Sequence, residues 1–345
     1  MSTILELHIL QTFPVSCLNR DDVGAVKTVE IGGVTRARVS SQCWKRQIRM
    51  ALRDLGVKIG MRTFRLAELI KARLAETDGE IAEPARNECA EKAAAALGAD
   101  KTGVFMSASD IDQLCSLIRS AAFDPDKVTK KDIEKLATSV NRRNGSHEGL
   151  DIALFGRMLA AVDNYDVEAA VSVSHAYTTH AVTTGLDYFT TLDDATNRAG
   201  MIGTTDFSAG TFYRYLSLNV DQLKRELGIE KPEDLTAAVT AFLKAVYIAV
   251  PQARQHTMAA YSPWSYAKVL VRTGQPFQCC FEKPVRAVGF GGMLEPSVKA
   301  MENELAHVEK ISGSLYGKKA EFAFGTGDKP IDDLCAEVCQ ALNAQ

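Results

Sequence analysis

Residues 35–56 read TRARVSSQCWKRQIRMALRDLG. The run from Thr35 to Val39 predicts a strand, and Ser40-Ser41 then offers hydroxyls suited to capping a helix amino terminus. From Gln42 onward the spacing is helical as far as Gly56, which fits the position just past a helix end. Advancing about 100° per residue gathers Gln42, Lys45, Arg46, Arg49 and Arg53 into an arc of roughly 100°. Trp44, Ile48, Ala51, Leu52 and Leu55 occupy a similar arc on the opposite side. A strand feeding a helix with one apolar face predicts a helix laid on a sheet, its other face a cationic stripe. Between Gly32 and Arg53 there are six basic residues (Arg36, Arg38, Lys45, Arg46, Arg49, Arg53) and no acidic one. A helix amino terminus supplies free N–H groups and a positive dipole end, and Ser40, Ser41 and Gln42 add neutral donors. Together they suit a phosphate.

Outward from this stretch, Ile4–Leu10 (ILELHIL) predicts a half-buried strand, with Glu6 and His8 interrupting the apolar run. The loop SCLNRDD (16–22) follows. There Asn19 and Asp21 suit a turn, and Arg20 a phosphate clamp. Asp21 and Asp22 are adjacent, so their side chains diverge, and no third carboxylate at helical or strand spacing completes a metal site. From about 63 to 143 the apolar spacing is helical, which marks an insertion, closed by the loop NRRNGSHEG. GLDIALFGRM (149–158) and VEAAVSVSHAYTTH (167–180) are expected as strands. Residues 181–207 are polar and glycine-spaced, so Tyr188, Phe189, Leu192, Met201 and Ile202 there must pack on something other than a core of their own. We expect this segment to be a protruding hairpin. GTFYRYLSLNV (210–220) predicts a strand and is followed by a helical pair. The last third is expected to hold strands at 268–272 and 277–281 and helices at 296–311 and 331–342. This order predicts an α+β fold.

With 345 residues, 46% hydrophobic and 24% charged, the chain has enough apolar content for a sizeable core, which excludes wholesale disorder. Forty Lys plus Arg against 43 Asp plus Glu excludes a protein that binds polyanions by bulk charge, though not one with a cationic face. The eight cysteines form no Cys-x-x-Cys pair. Cys335 and Cys339 are expected to pack as small apolar residues, and Cys279-Cys280 to lie in a buried strand. The default is then a reducing compartment. No signal-peptide pattern or membrane-length apolar run is present, so a soluble cytoplasmic protein with no membrane association is expected. The six histidines are dispersed. His175 and His180, five apart in a strand-like run, would face opposite ways. GFGGM (289–293) and GTGDKP lack nucleotide-loop spacing, so no cofactor, metal or catalytic residue is assigned.

Several of these segments resemble the CasC family, the backbone subunits of type I-E CRISPR Cascade complexes within the RNA-binding RAMP superfamily. They are SCLNRDD, RARVSSQCWKRQIR, GLDIALFGRM, AVSVSHAYTTH, LDYFTTLDD and FSAGTFYRYLSLN, continued by VPQARQHTMAAYSP at 250–263. The resemblance implies a modified RNA-recognition (ferredoxin-like) palm at 1–59, 149–180 and 208–345, a helical fingers insertion at 60–148 and a thumb hairpin at 181–207. It also implies copies polymerising along a CRISPR RNA in antiviral defence, each thumb displacing a base so that the spacer can pair with target DNA. Other Cascade subunits would be partners. Carried over by position, RNA contacts fall on Asn19, Arg20, Lys27, Ser40, Ser41, Gln42, Lys45, Arg46, Arg49, Arg157 and Met158. Contacts to the guide–target duplex fall on Tyr188, Phe189, Thr190, Leu192, Met201 and Ile202. The family subunit is not an enzyme. The alternative is a RAMP-type ribonuclease subunit that cuts target RNA with Asp21 or Asp22.

Overall fold

The computed structural model describes residues 1–140, 149–159, 161–162 and 165–344. Residues 141–148 of the expected NRRNGSHEG loop lie outside them. In chain order the elements begin with β1 (Thr3–Ser16), β2 (Thr28–Ile31), β3 (Val34–Val39), α1 (Ser41–Asp54), β4 (Met61–Thr63), α2 (Leu66–Thr77), α3 (Glu83–Ala96) and α4 (Ala99–Thr102). Next come β5 (Val104–Met106), α5 (Ala108–Ser120), α6 (Lys130–Val140), α7 (Leu150–Phe155), β6 (Val171–Val173), β7 (Ala176–Thr178), β8 (Gly185–Leu192) and β9 (Ala199–Asn219). The last are α8 (Val220–Leu227), α9 (Pro232–Ile248), α10 (Gln255–Met258), β10 (Tyr266–Thr273), α11 (Leu294–Ser312), β11 (Lys318–Phe324) and α12 (Ile331–Asn343). The architecture is α+β, in two compact units. One gathers residues 1–51, 172–217 and 243–345, and the other 52–171 and 218–242.

The first unit is built on a sheet of order β11-β10-β1-β9-β7-β3-β2, with β8 pairing on β9. The pairings of β1 with β10, β10 with β11, β3 with β2 and β7, and β9 with β7 and β8 are antiparallel. Each face of the sheet carries a core. One holds Tyr213, Tyr215, Leu270 and Phe281 with Met301 and Leu305 of α11. The other holds Phe13, Val39, Phe212 and Val250 with Trp44 of α1. Phe13 and Phe212 meet edge-to-face at 5.7 Å, a geometry worth about 0.5–1.5 kcal/mol beyond the area it buries.

The pattern of β1 predicts a half-wet strand, but residues 4–11 are buried throughout. Its polar side chains form an internal network. Glu6 accepts from the Phe277 N–H (2.8 Å), the Tyr215 hydroxyl and the Arg272 guanidinium. The Tyr213 hydroxyl accepts from the Cys279 N–H (3.0 Å) and shares a hydrogen bond with Nδ1 of His8 (2.9 Å). The alternation of Glu6 and His8 therefore marks a buried polar row rather than a solvent face.

The second unit is helical at its core. Leu66, Ile70 and Leu74 of α2 share one cluster with Ala93 of α3 and Leu114 and Ile118 of α5. α5 starts at a capping box, in which the Ser107 hydroxyl accepts from the Asp110 N–H (3.1 Å) and the Asp110 carboxylate accepts from the Ser107 N–H (2.7 Å). The unit also contains the two-stranded β4–β5 sheet, which the helical spacing of this region hides.

Two expected strands are corrected. Residues 150–155 form α7, buried along nearly its whole length and bracketed by Gly149 and Gly156 at positive φ. A helix buried all round carries no polar stripe, and a short apolar run looks the same in either state. Residues 277–281 form no strand, because side chains rather than a neighbouring strand satisfy their backbone. The Phe277, Cys279 and Cys280 amides donate to Glu6, Tyr213 and Glu304. The Cys279 carbonyl accepts from the Tyr177 hydroxyl and the Phe281 carbonyl from Arg36. Cys279 is buried there but Cys280 is exposed, whereas Cys335 and Cys339 are both buried, as their helical spacing suggests.

Candidate nucleic-acid interface

β3 delivers the chain to α1 through Ser40, whose hydroxyl accepts from the Cys43 N–H (3.3 Å) and whose carbonyl accepts from the Trp44 N–H (3.2 Å). The Ser40 N–H itself donates to Oδ1 of Asn19 (3.0 Å), so the 16–22 loop is tied to the helix cap. The Asn19 carbonyl accepts from the Lys27 N–H (2.9 Å), and the Lys27 carbonyl from the Arg38 N–H (2.7 Å). Asn19, Lys27, Arg38 and Ser40 are thus linked by hydrogen bonds around the first turn of α1. The amides of Ser41 and Gln42 in that turn have no intrahelical carbonyl to reach.

The wheel drawn from the sequence holds for most of α1. Trp44, Ile48, Ala51 and Leu52 are buried, while Gln42, Arg46 and Arg53 are exposed and Ser41, Lys45 and Arg49 half-buried. Leu55 is the exception; it lies past the helix end and is exposed. Among the described residues, Lys27, Lys45 and Arg46 have no carboxylate at ion-pair distance. Under the helix, the guanidinium of Arg214 stacks on Trp44 at 3.6 Å and donates to Oε1 of Gln11 (2.6 Å). Burial pulls its pKa down to about 9.

Two arginines leave the expected cationic set. Arg36 is fully buried and donates to the carbonyls of Thr178 (2.8 Å) and Phe281 (3.0 Å). Arg157, placed among the RNA contacts, is internal to the helical unit. Its side chain is 1% exposed, pairs with Asp110 at 2.8 Å, donates to the Tyr165 carbonyl (2.8 Å) and lies over the Tyr165 ring. Its guanidinium therefore presents nothing to solvent. The neighbouring Met158 is 81% exposed. Arg20 is exposed and bridges to Val26 across its loop. Asp21 turns inward on that loop, its Oδ1 accepting from the Val23 (3.1 Å) and Ala25 (2.8 Å) amides, while Asp22 is exposed.

β8 and the first part of β9 form a hairpin with Tyr188 opposite Thr204, Phe189 opposite Gly203 and Thr190 opposite Ile202. Its end is closed by Asp193, whose carboxylate accepts from the Ala195 (2.9 Å) and Thr196 (2.6 Å) amides. Tyr188 (69% exposed), Leu192, Met201 and Ile202 (74%) are all open, and Thr190 is exposed. Strand alternation puts Tyr188, Thr190 and Ile202 on one face and Phe189 and Met201 on the other. Tyr188 and Phe189 therefore cannot press on one surface together. The Phe189 ring covers Gly203, where an added Cβ would stand 2.4 Å from it. Its face borders a cleft of about 620 Å³ lined also by Val15, Phe207, Arg254 and Met258.

The family model for CT1975-like proteins matches residues 5–341. The chain belongs to the CT1975-like protein family. Among solved structures, a chain of a "CRISPR RNA-guided surveillance complex, pre-nicking" is 25% identical, with 98% of this chain and 99% of that chain covered and a TM-score of 0.79. A chain of a "CRISPR RNA-guided surveillance complex" is 24% identical over 97% of this chain and 99% of that one, with a TM-score of 0.60, a likeness of fold. No curated protein matches the sequence.

In this CT1975-like chain, two residues near the surface gain a setting that the sequence does not show. His175 reads as one of six scattered histidines, yet Nη1 of Arg38 donates to its Nδ1 (3.0 Å). Arg254 has φ +56° before the short α10 and lines the cleft by the hairpin. Only the sheet register and the loop fold bring these residues to the site, so no spacing in the sequence could have flagged them. Among the described residues no group of three or more His, Cys, Asp or Glu side chains could hold a metal ion. No helix there is long and apolar enough to cross a membrane.

Proposed function

We propose that this CT1975-like chain is a non-catalytic, CRISPR RNA-binding backbone subunit of a type I-E Cascade surveillance complex. The observation that carries the reading is the acid-free cationic face at the start of α1. Lys27, Lys45 and Arg46 are without ion pairs there and lie beside capped backbone amides. Such a surface grips phosphates whatever the base sequence, as a protein serving variable guides must. In this reading Asn19, Arg20, Ser40, Ser41, Gln42 and Arg49 complete the grip on the RNA backbone. The exposed hairpin residues Tyr188, Thr190, Leu192 and Ile202 lie against the guide–target duplex, with Met158 wedging bases in the RNA. Successive copies follow the RNA, other Cascade subunits cap the assembly, and the complex works in the cytoplasm.

Lys45→Ala with Arg46→Ala should weaken binding to any single-stranded RNA. The slope of log K against log salt should become shallower by about 1.4, roughly 0.7 for each phosphate no longer neutralised. Fluorescence anisotropy at several salt concentrations measures it. An unchanged slope would mean that the face is merely solvated and the reading wrong.

A further inference from the structure

His175 stands immediately before β7, which pairs with β3 through Arg38↔Tyr177 and Val39↔Ala176. One further step of this antiparallel register sets His175 opposite Ser40, the cap of α1. The imidazole is exposed, and Nη1 of Arg38 donates to its Nδ1 at 3.0 Å. The neutral ring consequently carries its proton on Nε2, and the arginine is held sideways along the sheet by a neutral acceptor. Nε of the same guanidinium reaches the Thr28 carbonyl at 3.4 Å. The charged groups that bear on the ring are Arg38 of β3 and Lys27 of the preceding loop, and both are cations. Partial burial and these two charges hold the imidazole below its ordinary pKa. An anion brought among them reverses that balance, because it attracts the proton the cations repel.

We propose that His175 is a further phosphate-contacting residue, paired with Arg38 as a proton-linked clamp on the RNA backbone. The inference rests on the RNA-binding reading above and deepens it. With no phosphate present, the neutral ring accepts from Arg38. When a phosphodiester enters beside Lys27, Nδ1 takes a proton from solvent and can no longer accept. Arg38 Nη1 is released, and imidazolium and guanidinium then both donate to the phosphate. Binding therefore takes up a proton at this site.

The test is the affinity of the full chain for a single-stranded oligouridylate, which does not itself titrate in the range, between about pH 8 and about pH 5.5. Wild type should bind more tightly as the pH falls, with up to about tenfold gained for each unit by which the bound phosphate raises the imidazole pKa. His175→Gln, which can still accept from Arg38 but cannot titrate, should flatten the profile. Lys45→Ala with Arg46→Ala should lower affinity at every pH and keep the slope. Identical slopes in wild type and His175→Gln overturn the inference while leaving RNA binding in place. If the Lys45/Arg46 variant binds as wild type does, the RNA-binding reading falls and the inference falls with it.

Discussion

His8 lies in the centre of β1 with its ring 5.0 Å from that of Tyr215 and 6.2 Å from that of Tyr213. Its Nε2 has no hydrogen-bond partner among the described residues. Burial above all, then the charges of Arg272 and Lys268, hold its pKa down to about 3. In the unfolded chain the same group titrates near 6.5, so below that pH the unfolded state binds more protons. The contribution is fully present above about pH 6.5. It is lost toward pH 3 at up to about 1.4 kcal/mol per pH unit. Urea denaturation at about pH 7 and pH 5 should show this fall, and His8→Gln should show a shallower one. Equal falls would mean that His8 does not titrate on unfolding. Burial is also where the sequence misleads. Arg36 and Arg157 read as surface cations, yet their acceptors are carbonyls and a carboxylate as many as 245 residues away. Chain proximity holds no trace of such partners, whereas the α1 stripe is legible because all its members share one helix.

At the scale of elements, the hairpin and its root meet the same steric problem with opposite consequences. A Cβ on Gly203 would stand 2.4 Å from the Phe189 ring, and one on Gly210 would stand 2.7 Å from the ring of His180. Phe189 is 42% exposed and can swing away. His180 is buried and pinned, with Nε2 accepting from the Thr211 N–H (3.1 Å) and Nδ1 donating to the Ala181 carbonyl (2.9 Å). Gly203→Ala should therefore change stability by no more than about 0.5 kcal/mol, and Gly210→Ala should cost about 1–3 kcal/mol. Chemical denaturation distinguishes them; two equally small effects would mean the imidazole yields. The hairpin is legible as an apolar-bearing segment too polar to form its own core, and its closure follows from Asp193. Adjacency alone sends Tyr188 and Phe189 to opposite faces once the segment is a strand. What the sequence cannot show is that Ile202 joins the Tyr188 face, since that depends on the register. Nor can it show that 277–281 rests on side chains from distant elements.

For the whole molecule, the proposed filament makes a prediction of its own. On oligouridylates of increasing length, the number of chains bound should climb in regular steps, read by light scattering or analytical ultracentrifugation. A plateau at one chain on every length would remove the backbone role and leave a simple RNA binder. The α+β class and the helical block can be read from periodicity. The two-unit partition cannot, because 218–242 joins the helical unit from the far side of the hairpin. That partition follows from interleaved stretches of chain, and β1 bears the consequence during synthesis. Its neighbour β10 pairs Thr3 with Thr273 and Leu10 with Tyr266. At about 5–20 residues per second, a ribosome needs roughly 13–50 s to make the 256 residues separating Leu10 from Tyr266. Through that interval the apolar row Leu5, Leu7 and Ile9 hangs from the nascent chain without β10, and for most of it without β9 (Ala199–Asn219), its other neighbour. A holdase chaperone that covers this segment until β10 emerges should raise the soluble yield, read by co-expressing one.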